Sequence, residues 1–209
     1  DGLPIVGATV EATPMMSGTH GTATTDANGR YHLFLRAGDY DLTARAFGYT
    51  PAFAHRVAVT TGLTTTHHFD LSALPTGRVY GTVVGEDSEP VEATVEALQT
   101  PVAGVATGGA YTLDLPAGEY TLQAHVVGYR VVTASVTVTA GQAQRVDFVL
   151  PKSMRLLVVD SGAWYYGSQV GYYQEALDAN AYAYDEVRIK HPPDDSPVIT
   201  DLLKYDLVI

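Results

Sequence analysis

Gly109-Ala110-Tyr111-Thr112-Leu113-Asp114-Leu115-Pro116-Ala117-Gly118-Glu119-Tyr120 decides the reading of the chain. Tyr111, Leu113 and Leu115 alternate with Thr112 and Asp114; beyond the turn, Tyr120, Leu122 and Ala124 alternate with Thr121 and Gln123. A period of two is that of antiparallel strands with one buried face. Pro116-Ala117-Gly118-Glu119 between them reads as a tight turn, with Pro setting φ and Gly accepting a positive one. Residues 132–139 and 145–150 give two further strands, separated by Ala140-Gly141-Gln142. Short strands with frequent turn signals predict a β-sandwich.

The same grammar occurs twice. Gly29-Arg30-Tyr31-His32-Leu33-Phe34-Leu35-Arg36-Ala37-Gly38-Asp39-Tyr40 is the earlier copy of the quoted stretch. Pro4-Ile5-Val6-Gly7-Ala8-Thr9-Val10-Glu11-Ala12 returns, one residue shorter, as Pro90-Val91-Glu92-Ala93-Thr94-Val95-Glu96-Ala97. Gly48-Tyr49 matches Gly128-Tyr129, and Phe69-Asp70-Leu71 matches Phe148-Val149-Leu150. The offset drifts from 86 to 79 residues, as loop-length changes produce.

These motifs, taken in order, resemble the carboxypeptidase regulatory-like domain. The resemblance implies two tandem immunoglobulin- or transthyretin-like sandwiches of about seven strands each. It places one over residues 1–75 and one over 76–152. Gly77-Arg78-Val79-Tyr80-Gly81-Thr82-Val83-Val84 resembles the module's opening strand, and the first copy has no such segment. The expectation is that residue 1 falls inside a domain and that the first copy lacks its first strand.

From Met154 the pattern changes. Met154-Arg155-Leu156-Leu157-Val158-Val159 is a near-continuous apolar run, as in a strand buried on both faces of a parallel sheet. Residues 171–182 predict a helix led by Val170, with Tyr173, Ala176, Leu177 and Asn180 at helical spacing; residues 184–189 predict a second strand. Ser196-Pro197 offers an N-cap and a first-turn Pro for a short helix through Leu203, and Asp206-Leu207-Val208-Ile209 begins a third strand. This βαβαβ order resembles the start of a glutamine amidotransferase-like or ThuA-like α/β domain, expected over 153–209 and truncated. The fold class expected is therefore mainly β, two sandwiches plus a truncated α/β segment.

Composition narrows the function. Twelve Lys and Arg against 23 Asp and Glu leave a formal charge of −11, which offers no basic surface for nucleic acid. Apolar residues at 46% support buried cores, and no apolar run approaches the roughly 18 residues of a membrane span. Zero Cys removes thiolate chemistry and Cys-ligated metal, and with them any amidotransferase activity within these residues. Asp26-Ala27-Asn28-Gly29 begins like a calcium loop, but residues 31–36 supply no further acidic ligand and the second copy has Ala106-Thr107-Gly108-Gly109 in its place. A turn accounts for both copies. His67-His68 alternate across a strand and cannot share a metal. No metal or other cofactor is expected.

His20-Gly21-Thr22 and Val159-Asp160-Ser161-Gly162 echo the subtilisin-like His and Asp motifs, but in the wrong order and with no nucleophile segment, so no catalytic residue is assigned. Gly167-Ser168-Gln169-Val170-Gly171 is not a nucleophile elbow. Asp160, Ser161 and Gly162 are ligand-binding candidates because they lie at the carboxyl end of the first parallel strand. Tyr165 and Tyr166 join them as part of a cluster that puts seven of 14 Tyr into the last 56 residues. That cluster serves either packing or binding. The resemblance implies an extracellular bacterial protein, with a subtilisin-like serine peptidase as parent. Its expected partners are neighbouring domains of the parent, a protein substrate or a polysaccharide.

Overall fold

The computed structural model describes residues 2–16, 18–162 and 167–209. Their backbone divides into two units, Asp1–Pro75 and Thr76–Ile209. In the first, β1 (Thr9–Pro14), β2 (Gly21–Thr24), β3 (Gly38–Arg45) and β4 (Ala52–Val59) form an antiparallel sheet in the order β2-β1-β3-β4. Alternation turns Val10 and Ala12 of β1 and Tyr40, Leu42 and Ala44 of β3 into the core. Against Ala12, Tyr40 and Leu42 pack Leu33, Leu35 and Phe69. These three come from residues 31–36 and 67–71, which carry strand patterning yet form no ladder among the described residues. The first copy therefore has one hydrogen-bonded layer where a two-sheet sandwich was expected. β4 also carries a bulge: Arg56 sits at φ 53° and donates its N–H to Asp41 Oδ1 at 3.0 Å.

The second unit opens with β5 (Thr76–Gly85), β6 (Thr94–Ala97), β7 (Ala103–Val105), β8 (Ala110–Pro116), β9 (Gly118–His125), β10 (Val132–Val138), β11 (Ala143–Arg145) and β12 (Phe148–Leu150). One layer is antiparallel, β10-β9-β6-β7. The other is built on β5, which pairs antiparallel with β8 on one edge and parallel with β11 and β12 on the other. Val79, Val83, Leu113, Leu115, Leu122, Phe148 and Leu150 fill the space between layers. Each such side chain contributes about 1.5–3 kcal/mol by leaving water.

The inward face of β5 reads Gly77, Val79, Gly81, Val83, Gly85, all buried. Gly81 is demanded by a close approach, since a Cβ there would lie 1.8 Å from the Val146 carbonyl oxygen. Tyr111 stands opposite Gly81 in register, and its hydroxyl donates to that same carbonyl at 2.7 Å. The tyrosine thus reaches across β5 to the strand on its far edge. Asp147 fills the gap between β11 and β12, its Oδ1 accepting the Thr82 N–H at 2.9 Å. Burial, with Asp147 adding to it, pushes the Tyr111 phenol well above its ordinary value.

The chain continues through β13 (Leu156–Asp160), α1 (Val170–Ala179), β14 (Tyr184–Arg188), α2 (Ile199–Leu202) and β15 (Leu207–Val208). The three strands form a parallel sheet in the order β14-β13-β15, with Leu156, Leu157 and Val158 buried at its centre. The sheet is that of the expected α/β segment, but two local expectations change. α1 turns Val170, Gln174 and Leu177 inward, while Tyr173 and Ala176 are exposed. Gln174 fixes this rotation by donating from Nε2 to Glu186 Oε2 of β14 at 2.6 Å. α2 is capped by Val198 rather than Ser196, because Asp195 first gathers the N–H groups of Lys190 and His191 into a separate turn.

Replacing Gly81 by Ala forces β5 from β11 and β12 or displaces Val146, and should cost about 2–3 kcal/mol in urea denaturation. Gly171→Ala should instead stabilise by about 0.5–1 kcal/mol, because Gly171 lies in α1 with nothing within 4 Å of its added Cβ. The Tyr111 phenol supplies a pH dependence. The unfolded chain ionises it near its usual pKa of about 10 while the folded chain keeps it protonated, so stability falls as pH rises above about 10. Tyr111→Phe should flatten that alkaline slope by up to about 1.4 kcal/mol per pH unit, measured as unfolding free energy against pH.

Candidate functional site

Asp160 ends β13 and is 6% exposed, which places a carboxylate in the core at the carboxyl end of a parallel strand. Its Oδ2 accepts the Ser168 hydroxyl proton at 2.6 Å, and its Oδ1 accepts the Gly162 N–H at 3.2 Å. Ser168 Oγ in turn accepts the Val170 N–H at 3.2 Å, joining the carboxylate to the first turn of α1. Asp160, Ser168 and Gly162 thus brace the two ends of one βα loop. Ser161 is exposed beside them, and Tyr165 and Tyr166 lie outside the described residues. The arrangement can hold a loop and present backbone at its rim. Asp160 and Ser168 form a carboxylate–hydroxyl pair that is engaged in bracing the loop, since Ser168 Oγ also accepts the Val170 N–H.

The remaining sequence candidates fall in separate places. Asp26 Oδ1 accepts the N–H groups of Asn28 at 2.9 Å and Arg30 at 2.8 Å, which holds its carboxyl below the usual range. That is a side-chain-closed turn, completed by Gly29 at φ 70°. His67 packs edge-on to Phe69, with ring centroids 4.7 Å apart. Among the described residues no three His, Asp or Glu converge as a metal group. Nor do the late tyrosines form a ring platform there, since the aromatic pairs are His67–Phe69, Tyr31–Phe69 and Tyr111–Phe148. Tyr172 and Tyr173 are exposed on α1, and Tyr205 donates to Asp185 Oδ2.

One cluster went unseen at the level of sequence. Arg130, in the loop between β9 and β10, donates from Nη1 to the Asn180 carbonyl at 2.6 Å and from Nη2 to the Tyr182 hydroxyl at 2.9 Å. Its guanidinium carbon lies 4.2 Å from the Tyr182 ring centroid. Next to it, Val131 donates its N–H to the Ala181 carbonyl at 2.9 Å. Charged hydrogen bonds and a cation–π contact therefore seat the loop after α1 on the second sandwich. The repeat held the signal: where Gly48-Tyr49 is followed by Thr50, Gly128-Tyr129 is followed by Arg130.

The twice-repeated sheet, with Tyr40 matching Tyr120 and Tyr31 matching Tyr111, accords with the comparison to known families. The carboxypeptidase regulatory-like domain model matches residues 1–72 and 78–151. The chain belongs to the carboxypeptidase regulatory-like domain family. Among curated proteins, Bacillopeptidase F of Bacillus subtilis (strain 168) is 33% identical over 113 residues, covering 52% of this chain and 8% of that protein. The chain thus spans less than a tenth of that relative's length. Among solved structures, the minor pilin GBS52 of Streptococcus agalactiae aligns over 73% of this chain and 86% of its own, at 16% identity and a TM-score of 0.40. The Bacillus anthracis TIE protein aligns over 76% of this chain and 34% of its own, at 18% identity and a TM-score of 0.32. No helix among the described residues is long and apolar enough to cross a membrane.

Arg130→Ala should lower amide protection of the Leu156–Asp160 strand by about 2 kcal/mol in hydrogen exchange, leaving β5 protected. Tyr182→Phe keeps the ring and removes one hydrogen bond, and should cost about 1 kcal/mol in the same measurement.

Proposed function

We propose that the chain is a non-catalytic accessory region of a secreted bacterial protein whose parent is a subtilisin-like serine peptidase. On this reading the domains are 1–75, 76–152 and 153–209. The first two are spacer or docking modules, and the third is the opening of an open α/β domain of the amidotransferase-like or ThuA-like kind. The observation that carries the reading is the paired family match, supported by 33% identity to part of Bacillopeptidase F. The absence of Cys and of disulfides is no obstacle, because the second copy closes a hydrophobic core by strand pairing and the first buries Ala12, Tyr40 and Leu42 on its paired sheet.

The geometry fits a spacer better than a catalyst. The Arg130 seam makes the second sandwich and the parallel sheet a single compact unit, so that segment transmits position from one domain to the next. Asp160, Ser161 and Gly162 would line the ligand pole of the α/β domain, where open parallel sheets place their ligands, with Tyr165 and Tyr166 in the same loop. Partners on this reading are the parent's neighbouring domains and a protein or polysaccharide substrate held near its catalytic domain.

Incubating the chain with casein and an active-site serine probe tests the accessory assignment. Neither hydrolysis nor labelling is expected. Covalent labelling abolished by substitution of one serine would overturn it.

A further inference from the structure

The outward face of the second sandwich carries polar groups that the fold itself leaves unused. β9 and β10 pair along Val132–Val138 without a bulge, which sets Thr121 opposite Ser135 and Glu119 opposite Thr137. Alternation turns these four outward, and all are exposed. The turn after β6 stands beside them, with the Leu98 N–H donating to the Thr121 carbonyl at 2.9 Å. Thr100 closes that turn, its Oγ1 donating to the Ala97 carbonyl at 2.7 Å and accepting the Val102 N–H at 3.1 Å. At the tip Gln99 is held at φ 62°, a left-handed conformation uncommon outside glycine. Between turn and strands lies a cleft of about 490 Å³, lined by the four strand residues with Leu98, Gln99, Tyr120 and Val136.

The hydrogen bonds of this face lie to one side of the cleft, where Gln123 Nε2 donates to Glu96 Oε1 at 3.2 Å. The side chains of Gln99, Glu119, Thr121, Ser135 and Thr137 have no partner within the protein among the described residues. The first copy closes the matching face. Asp41 stands where Thr121 stands, and its Oδ1 accepts the Arg56 N–H at 3.0 Å across the β4 bulge, with His55 Nδ1 3.5 Å away. Tyr40 is 2% exposed and its hydroxyl donates to the Arg36 carbonyl at 3.0 Å. The matching Tyr120 is half-buried at the cleft, and its hydroxyl has no such bond.

The donor set selects the ligand. No Lys, Arg or His lines the cleft, and its one charge is the Glu119 carboxylate, so anions are repelled. A single carboxylate is too few for a divalent cation, and no three acidic or imidazole groups converge among the described residues. Three hydroxyls that both donate and accept, one amide and one carboxylate match the vicinal hydroxyls of a sugar ring. Leu98, Tyr120 and Val136 offer apolar surface to its C–H face. We propose that this cleft binds a neutral oligosaccharide, with Gln99, Glu119, Thr121, Ser135 and Thr137 bonding its hydroxyls. The site gives a ligand class to the docking module of the reading above, and rests on that reading only in taking the second sandwich as such a module.

The test titrates the full ¹⁵N-labelled chain with maltotriose, cellotriose and chitotriose in turn and follows the backbone amide resonances. At millimolar sugar, at least one of them should shift residues 119–121 and 135–137 and leave residues 39–41 and 55–58 in place. The double variant T121V with S135A alters exposed positions, so its spectrum elsewhere should be unchanged, and its affinity for that sugar should fall at least about ten-fold. No shift with any of the three sugars overturns the proposal. So do equal shifts on the faces of both copies, or unchanged affinity in the folded double variant. Serine labelling would overturn the accessory assignment and leave sugar shifts standing, so the two failures are distinct.

Discussion

The second sandwich depends on hydrogen bonding at both edges of Thr76–Gly85. With β5 in place, β8 has a partner, β11 and β12 have a partner, and the apolar inward face of each closes over Leu122 and Val95 from the opposite layer. The strand can occupy this position only because Gly77 and Gly81 let the Thr139 and Val146 carbonyl oxygens come closer than a Cβ tolerates. Backbone pairing and the absence of Cβ atoms are thus one constraint. Valine at the intervening positions then supplies the burial that the glycines forgo.

Where that constraint is not met, the consequences are graded. The β2-β1-β3-β4 sheet of the first copy keeps its register, its buried Tyr40, and the Tyr40 hydroxyl bond to the Arg36 carbonyl at 3.0 Å. Only the opposite layer loses its ladders.

The sandwich layers were legible in sequence because alternation and turn chemistry are local, and their repetition made coincidence untenable. The run through Leu156 and Val158 was legible for the same reason, since a short strand buried on both faces needs apolar residues in succession. The inward face of α1 was not. Gln174 is polar, and nothing local says that its amide faces Glu186 while Tyr173 faces solvent. Asp160 was found from its place at a strand end, but its bond to Ser168 depends on how the loop closes. Arg130 was missed because its partners, Asn180 and Tyr182, lie 50 and 52 residues further on. Only the departure of Arg130 from Thr50 in the other copy pointed to it.

The parallel pairing of β5 with β12 joins the first and last strands of the second sandwich. Tension applied along the chain pulls the start of β5 and the end of β12 in opposite directions along the strand axis. The ladder is then loaded in shear, and its bonds with β11 and β12 must break together rather than one after another. Hairpin ladders such as β9 with β10, loaded across their open end, unzip singly. A parallel first-to-last pair therefore resists extension along the strand axis more than a hairpin ladder of the same length.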